Sequence, residues 1–131
     1  MQPDAKLYFH QTWAYETDSN HAHFANYNEN QKEMYNCIKN ASRMATEKIG
    51  TKMIPTGEVI QTLRETIAEF DYASGGISLC RDGFHLSFDY GRFAAAATWF
   101  HIITGKKIGI ANFDDFNSEL INKIIKVINQ L

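Results

Sequence analysis

Between residues 7 and 54 the chain runs strand, helix, strand, and this order limits its fold more than any other feature. Residues 7–15 (LYFHQTWAY) carry neither Gly nor Pro and are rich in aromatic side chains. Their apolar residues do not alternate cleanly, so the spacing predicts a strand buried on both faces. Over residues 27–49, Met34, Ile38, Ala41, Ala45 and Ile49 recur at three- and four-residue intervals, while Lys32, Lys39, Arg43 and Lys48 fall mostly off that line. This is the pattern of a helix with one apolar stripe, and Gly50 is placed to end it in a left-handed conformation. Residues 51–54 form a second short strand, halted by Pro55. Two strands joined through a helix pair in parallel, by a right-handed crossover.

The remainder is helical. Residues 16–26 are polar, with scattered histidines, and read as a loop. Thr56 is placed to cap a helix over 58–70, whose stripe is Val59, Ile60, Leu63, Ile67 and Phe70. A loop over 71–80 contains Gly75-Gly76. A helix over 88–104 follows, closed by Gly105, and Ala94 to Ala97 leave so little bulk that it can lie close to a neighbour. Residues 106–111 form a short extended piece. A last helix over 115–131 buries Leu120, Ile121, Ile124, Ile128 and Leu131. The expectation is an α/β chain with two or three parallel strands and four helices, and no repeat, linker or low-complexity tract. So few parallel strands make a poor sheet, because such sheets normally have several strands and two covered faces. A neighbour is therefore expected, either a second copy of the chain or a further polypeptide segment.

Composition narrows the function classes. With 131 residues the chain is the size of a single domain, and 44% apolar with 21% charged residues is an ordinary globular balance. The net charge is −2 and there is no run of Lys or Arg, so neither nucleic acid nor an anionic membrane surface is expected as a partner. No apolar run approaches the ~20 residues that span a bilayer. The segment Met1-Gln2-Pro3-Asp4-Ala5-Lys6 lacks a charged-then-apolar leader pattern. Cys37 and Cys80 lie far apart without metal-ligand spacing and read as free thiols, although spacing leaves a disulfide between them open.

The residues with the clearest chemistry are Asp82 and His85, in Arg81-Asp82-Gly83-Phe84-His85-Leu86-Ser87. One tight turn, eased by Gly83, puts acid and imidazole on the same side. In acyl transfer an imidazole takes a serine proton while a carboxylate fixes its tautomer and stabilises the imidazolium. The tetrapeptide alone fits equally a surface Asp-Gly turn with a packing histidine, since Asp-x-x-His recurs by accident. His21 and His23 have the spacing of a metal pair, but in a polar loop without a further ligand they read as solvated. His10 reads as a core or cleft histidine, and His101 as structural. None of Ser19, Ser42, Ser74, Ser78, Ser87 or Ser118 lies in a nucleophile motif. Ser87 reads as a cap for the following helix, and Gly75-Gly76 could offer N–H groups to an oxyanion. No phosphate-cradling glycine loop or other cofactor pattern is present.

Asp82-Gly83-Phe84-His85-Leu86-Ser87, followed by Gly91-Arg92-Phe93-Ala94-Ala95, Trp99 and Ile103-Thr104-Gly105, resembles the C-terminal block of the SGNH (GDSL-type) hydrolases. It is more similar still to the branch described as a domain of unknown function with an SGNH-like fold. His10-Gln11-Thr12-Trp13-Ala14-Tyr15, Gln31-x-x-Met34-Tyr35, Ile54-Pro55-x-Gly57 and Ile60-Gln61-x-Leu63-Arg64 share that resemblance, which covers the chain to about Gly105. It implies a three-layer α/β/α, flavodoxin-like fold, of which the chain would be the C-terminal half. It also implies that Asp82 and His85 are triad acid and base. The family's serine block and its oxyanion glycine and asparagine precede the matched region.

Three functions follow as expectations. The first is part of a serine hydrolase acting on an ester, such as an acyl or acetyl group on a carbohydrate, with this chain alone nearly inert. The second is a non-catalytic binding or interaction module of the same descent. The third is metal binding through His21, His23 and His10.

Overall fold

The structure, a computed structural model, describes residues 4–112 and 115–131. Residues 1–3, read above for a leader pattern, lie outside the described residues. The strands are β1 (Tyr8–His10) and β2 (Lys52–Ile54), and the helices are α1 (Gln31–Ile49), α2 (Thr56–Thr66), α3 (Tyr90–Thr104) and α4 (Ser118–Ile128). The strands pair in parallel, Tyr8 against Lys52, Phe9 against Met53 and His10 against Ile54. The chain is thus mixed α/β around a two-stranded parallel sheet, the strand–helix–strand order read from the sequence.

β1 stops at His10, not at residue 15, because its partner ends first: Pro55 turns the chain out of β2 and into α2. The last rung is the Gln11 N–H donating to Ile54 O at 3.0 Å. Nor is the strand buried on both faces, since Leu7 is 67% exposed and His10 faces solvent. Burial falls instead on Gln11, Ala14 and Glu16, in the extended segment beyond it. The Gln11 Oε1 accepts the Glu58 N–H at 2.9 Å and so caps α2, the role expected of Thr56. The Thr56 hydroxyl lies 2.9 Å from His10 Nε2.

α1 begins four residues later than its periodicity predicts. Ala22–Tyr27 form a 3₁₀ segment, and Asn28 and Glu29 take φ of 54° and 52°, which breaks the helical path. Asn30 then caps α1 by accepting the Glu33 N–H at 3.0 Å, and Gly50 closes it at φ 69°. The buried line of α1 runs through Met34 and Ser42, while Ala41 and Ile49 of the expected stripe face solvent. α2 ends at Thr66, short of residue 70; Ile67 turns extended and Ala68–Phe70 form a 3₁₀ turn, with Phe70 still buried. α4 is capped by Asn117 and is shorter than residues 115–131; Ile125 joins its buried face and Leu131 does not. Residues 106–111 form no strand. Ile108 is held at both its N–H and its carbonyl by the Asn129 side chain.

The main core joins α2, α3 and α4 through Val59, Ile60, Leu63, Ala94, Ile121 and Ile124, all at most 1% exposed, with Leu79 among them. Each buried aliphatic side chain contributes roughly 1.5–3 kcal/mol relative to exposure. Ala94 and Ala97 are the buried alanines of α3, as its low bulk suggested. Cys37 is exposed and Cys80 buried, and both are free thiols, which closes the disulfide left open by spacing. No helix among the described residues is long and apolar enough to cross a membrane.

Candidate acid–base site

The site sits on a turn between Leu79 and Ser87. The Ser87 N–H donates to Leu79 O at 2.9 Å and the Arg81 N–H to His85 O at 2.9 Å, so residues 79–87 form a short antiparallel loop bridged at Cys80 and Leu86. Its tip is tight because Gly83 adopts φ 85°, and an added Cβ there would meet Ser19 Cα at 3.0 Å. Gly83 O accepts the Glu16 N–H at 2.7 Å. Trp13 supplies another tie, its indole N–H donating to Phe84 O at 2.8 Å. At the base of the loop Gly91 of α3 approaches Leu79 O; the N-cap of α3 is Asp89, not Ser87, but the Ser87 hydroxyl accepts the Gly91 N–H of the first turn at 3.0 Å.

Within this frame Asp82 binds His85 twice. Oδ1 accepts the His85 main-chain N–H at 2.8 Å and that of Phe84 at 3.2 Å, while Oδ2 lies 2.8 Å from His85 Nδ1. The ring hydrogen bond from His85, supported by these two N–H groups, holds the Asp82 carboxyl down at about 2. The carboxylate is therefore ionised and can only accept, which puts the proton on Nδ1 and the lone pair of a neutral ring on Nε2. Nε2 has no protein partner among the described residues. The Phe84 ring packs on the imidazole at 4.3 Å between centroids and also touches His21 and Tyr15. A recess of about 270 Å³, lined by Trp13, Arg81, His85, Leu86 and Arg92, opens beside the ring.

Beneath the loop lies a buried polar knot that sequence reasoning did not single out. Arg64 and Glu16 pair at 3.2 Å with side chains 4% and 2% exposed. Arg64 also donates to Ala14 O at 3.0 Å, and the Glu16 carboxylate accepts from Gln31 at 2.7 Å and from Ser78 at 2.8 Å. Cys80 Sγ lies 3.4 Å from the guanidinium, and burial pushes its thiol up to about 11, so it is no nucleophile. The available signal was Arg64 itself, a charge four residues after Ile60 on the apolar stripe of α2.

The other candidates are not hydrogen-bonded to this pair among the described residues, and His21 reaches it only through the Phe84 ring, at 4.9 Å between centroids. His21 Nδ1 accepts the His23 N–H at 3.2 Å, and among the described residues no group of three or more His, Cys, Asp and Glu side chains could hold a metal ion. His10 packs edge-on to Trp99 at 5.1 Å, and although the residue as a whole is exposed, partial desolvation of its ring lowers its pKa. His101 Nδ1 bonds Lys106 O at 2.8 Å and serves the end of α3. The Gly75 and Gly76 N–H groups already donate to Tyr72 O and Asp71 O, so they are not free for an oxyanion. No serine hydroxyl among the described residues is hydrogen-bonded to His85.

A family profile described as "Domain of unknown function (DUF4886)" matches residues 1–125. The chain belongs to this family. A solved structure with the same DUF4886 fold, a family protein from Bacteroides uniformis, is 31% identical to it, with a TM-score of 0.85. That match covers 99% of this chain and 49% of the other, so this DUF4886 chain spans about half the length of its solved relative. No curated protein matches its sequence.

Proposed function

We propose that the chain carries the acid–base half of an SGNH-type serine hydrolase site acting on esters, with Asp82 as orienting acid and His85 as base. The observation that carries this reading is the 2.8 Å contact between Asp82 Oδ2 and His85 Nδ1, which leaves Nε2 as the free lone pair of a ring that lines a recess. Support comes also from the five separate ties that fix the loop, since a base must be held within a fraction of an ångström of its productive geometry.

In this reading a serine from outside these 131 residues attacks the ester carbonyl as its proton passes to His85 Nε2. Asp82 stabilises the imidazolium. The imidazolium then gives that proton to the departing alkoxide, leaving an acyl-serine, and a water repeats the sequence to release the acid and regenerate the serine. The same reading completes the three-layer α/β/α fold with strands added beside the two-stranded sheet. Each strand has one edge without a ladder partner among the described residues, and Leu7, Trp99 and Ile103 expose apolar surface. The relative's greater length is consistent with such an addition.

A second reading, a non-catalytic binding module, takes the recess beside His85 as a ligand site without a hydrolytic step. One experiment separates the two: labelling of the natural polypeptide that carries the chain with a fluorophosphonate probe, which reacts with activated serines. The hydrolase reading expects labelling that disappears in His85→Ala. Absent labelling, or labelling indifferent to His85, would leave the binding module.

A further inference from the structure

Two guanidinium groups share the recess with His85, and neither has a good anionic partner. The Arg81 Cζ lies 4.6 Å and the Arg92 Cζ 4.3 Å from the centroid of the Phe88 ring, which is 68% exposed. Each guanidinium thus makes its own cation–π contact with that ring. Arg81 reaches Asp82 Oδ2 only at 3.8 Å, and that oxygen is already engaged by His85. Arg92 has no carboxylate within 4.0 Å among the described residues. Trp13, whose indole N–H is bound to Phe84 O at 2.8 Å, also lines the recess. The recess thus offers a base, an aromatic surface and a pair of forked donors suited to a carboxylate or phosphate.

We propose that Arg92, together with Arg81, makes this site select esters that carry an oxyanion close to the scissile bond, an acidic sugar ester being the simplest case. The proposal rests on the hydrolase reading for the ester, and on the recess alone for the anion. An oxyanion placed in the recess takes the ion-pair position that Arg92 leaves open. A neutral sugar of the same size does not.

The test is a titration of the natural polypeptide that carries the chain with D-glucuronate, glucose 6-phosphate and D-glucose, followed by NMR of the Trp13 indole and His85 ring signals. Glucuronate, glucose 6-phosphate or both should bind about tenfold or more tighter than glucose. The two acidic probes distinguish carboxylate from phosphate selection. Arg92→Gln and Arg81→Gln should each remove most of that preference, with the remaining amide spectrum unchanged. Arg92→Lys, which keeps the charge without the fork, should retain only part of it. Equal responses to all three sugars, or a preference undiminished in both Gln variants, would overturn the proposal. No nucleophile is needed for this binding, so the two readings fail separately. His85-dependent labelling without an oxyanion preference removes the selectivity alone. An oxyanion preference without labelling removes the hydrolase reading, and with it the ester.

Discussion

Arg64 of α2 and Glu16 of the segment after β1 form an ion pair at 3.2 Å, sealed from solvent directly below the loop that carries Asp82 and His85. Glu16 then passes this anchorage upward, its own N–H holding Gly83 O at 2.7 Å. Pairs of this kind contribute little net stability when intact, because desolvation offsets attraction, but leaving one charge buried alone is costly. Arg64→Met should therefore destabilise the fold by about 3–5 kcal/mol in urea denaturation. Adding Glu16→Gln to that variant should restore part of the loss. A single variant within ~0.5 kcal/mol of the parent would show that the pair is not closed to water.

Gly91 makes a second, purely steric connection to the site. A Cβ there would lie 2.3 Å from Leu79 O and 2.9 Å from Ser87 Oγ, the two ends of the site loop. Gly91→Ala must push α3 and the loop apart, at about 1–3 kcal/mol of stability. Thermal unfolding should register the loss, and the Trp13 indole signal should move with the displaced loop. An unchanged melting curve would mean that the loop gives way freely.

Asp82 supplies the pH dependence. Its folded carboxyl titrates at about 2, below the ordinary carboxylate value of ~3.9, so the folded state binds fewer protons than the unfolded state in that interval. The stabilising contribution is therefore fully present above about pH 4 and is lost as pH falls toward 2. The stability difference between the parent and Asp82→Asn should shrink as pH falls from about 4 toward 2. A difference that stays constant down to pH 2 would contradict the hydrogen bonding described here.

What could be read from the sequence was what depends on local pattern. Gly50 and Gly105 close their helices at φ 69° and 66°, Ala94 and Ala97 of α3 are buried as low bulk suggested, and Ile121, Ile124 and Ile128 of α4 face the core as periodicity required. Asp82 and His85 were legible because three residues and a glycine suffice to bring them together. The misses are long-range. Gln11 caps α2 from 47 residues away, so Thr56 only looked like the cap. The length of β1 is set by Pro55 on its partner. The buried line of α1 passes through Ser42, whose hydroxyl satisfies itself on Ile38 O at 2.7 Å, so a polar residue could occupy a core position. Arg92 and Arg81 stand eleven residues apart, and only the fold brings both to the Phe88 ring and to the recess beside His85.

The central claim, that Asp82 and His85 work as one acid–base unit in ester hydrolysis, is tested most directly by a double-mutant cycle on the natural polypeptide that carries the chain. The rate of 4-nitrophenyl acetate hydrolysis would be compared for the parent, Asp82→Asn, His85→Ala and the double variant. Members of such a unit are strongly non-additive. Each single variant should lose about 10³- to 10⁴-fold, and the double variant should be no slower than His85→Ala alone. Rates indifferent to His85, or losses that multiply in the double variant, would contradict it.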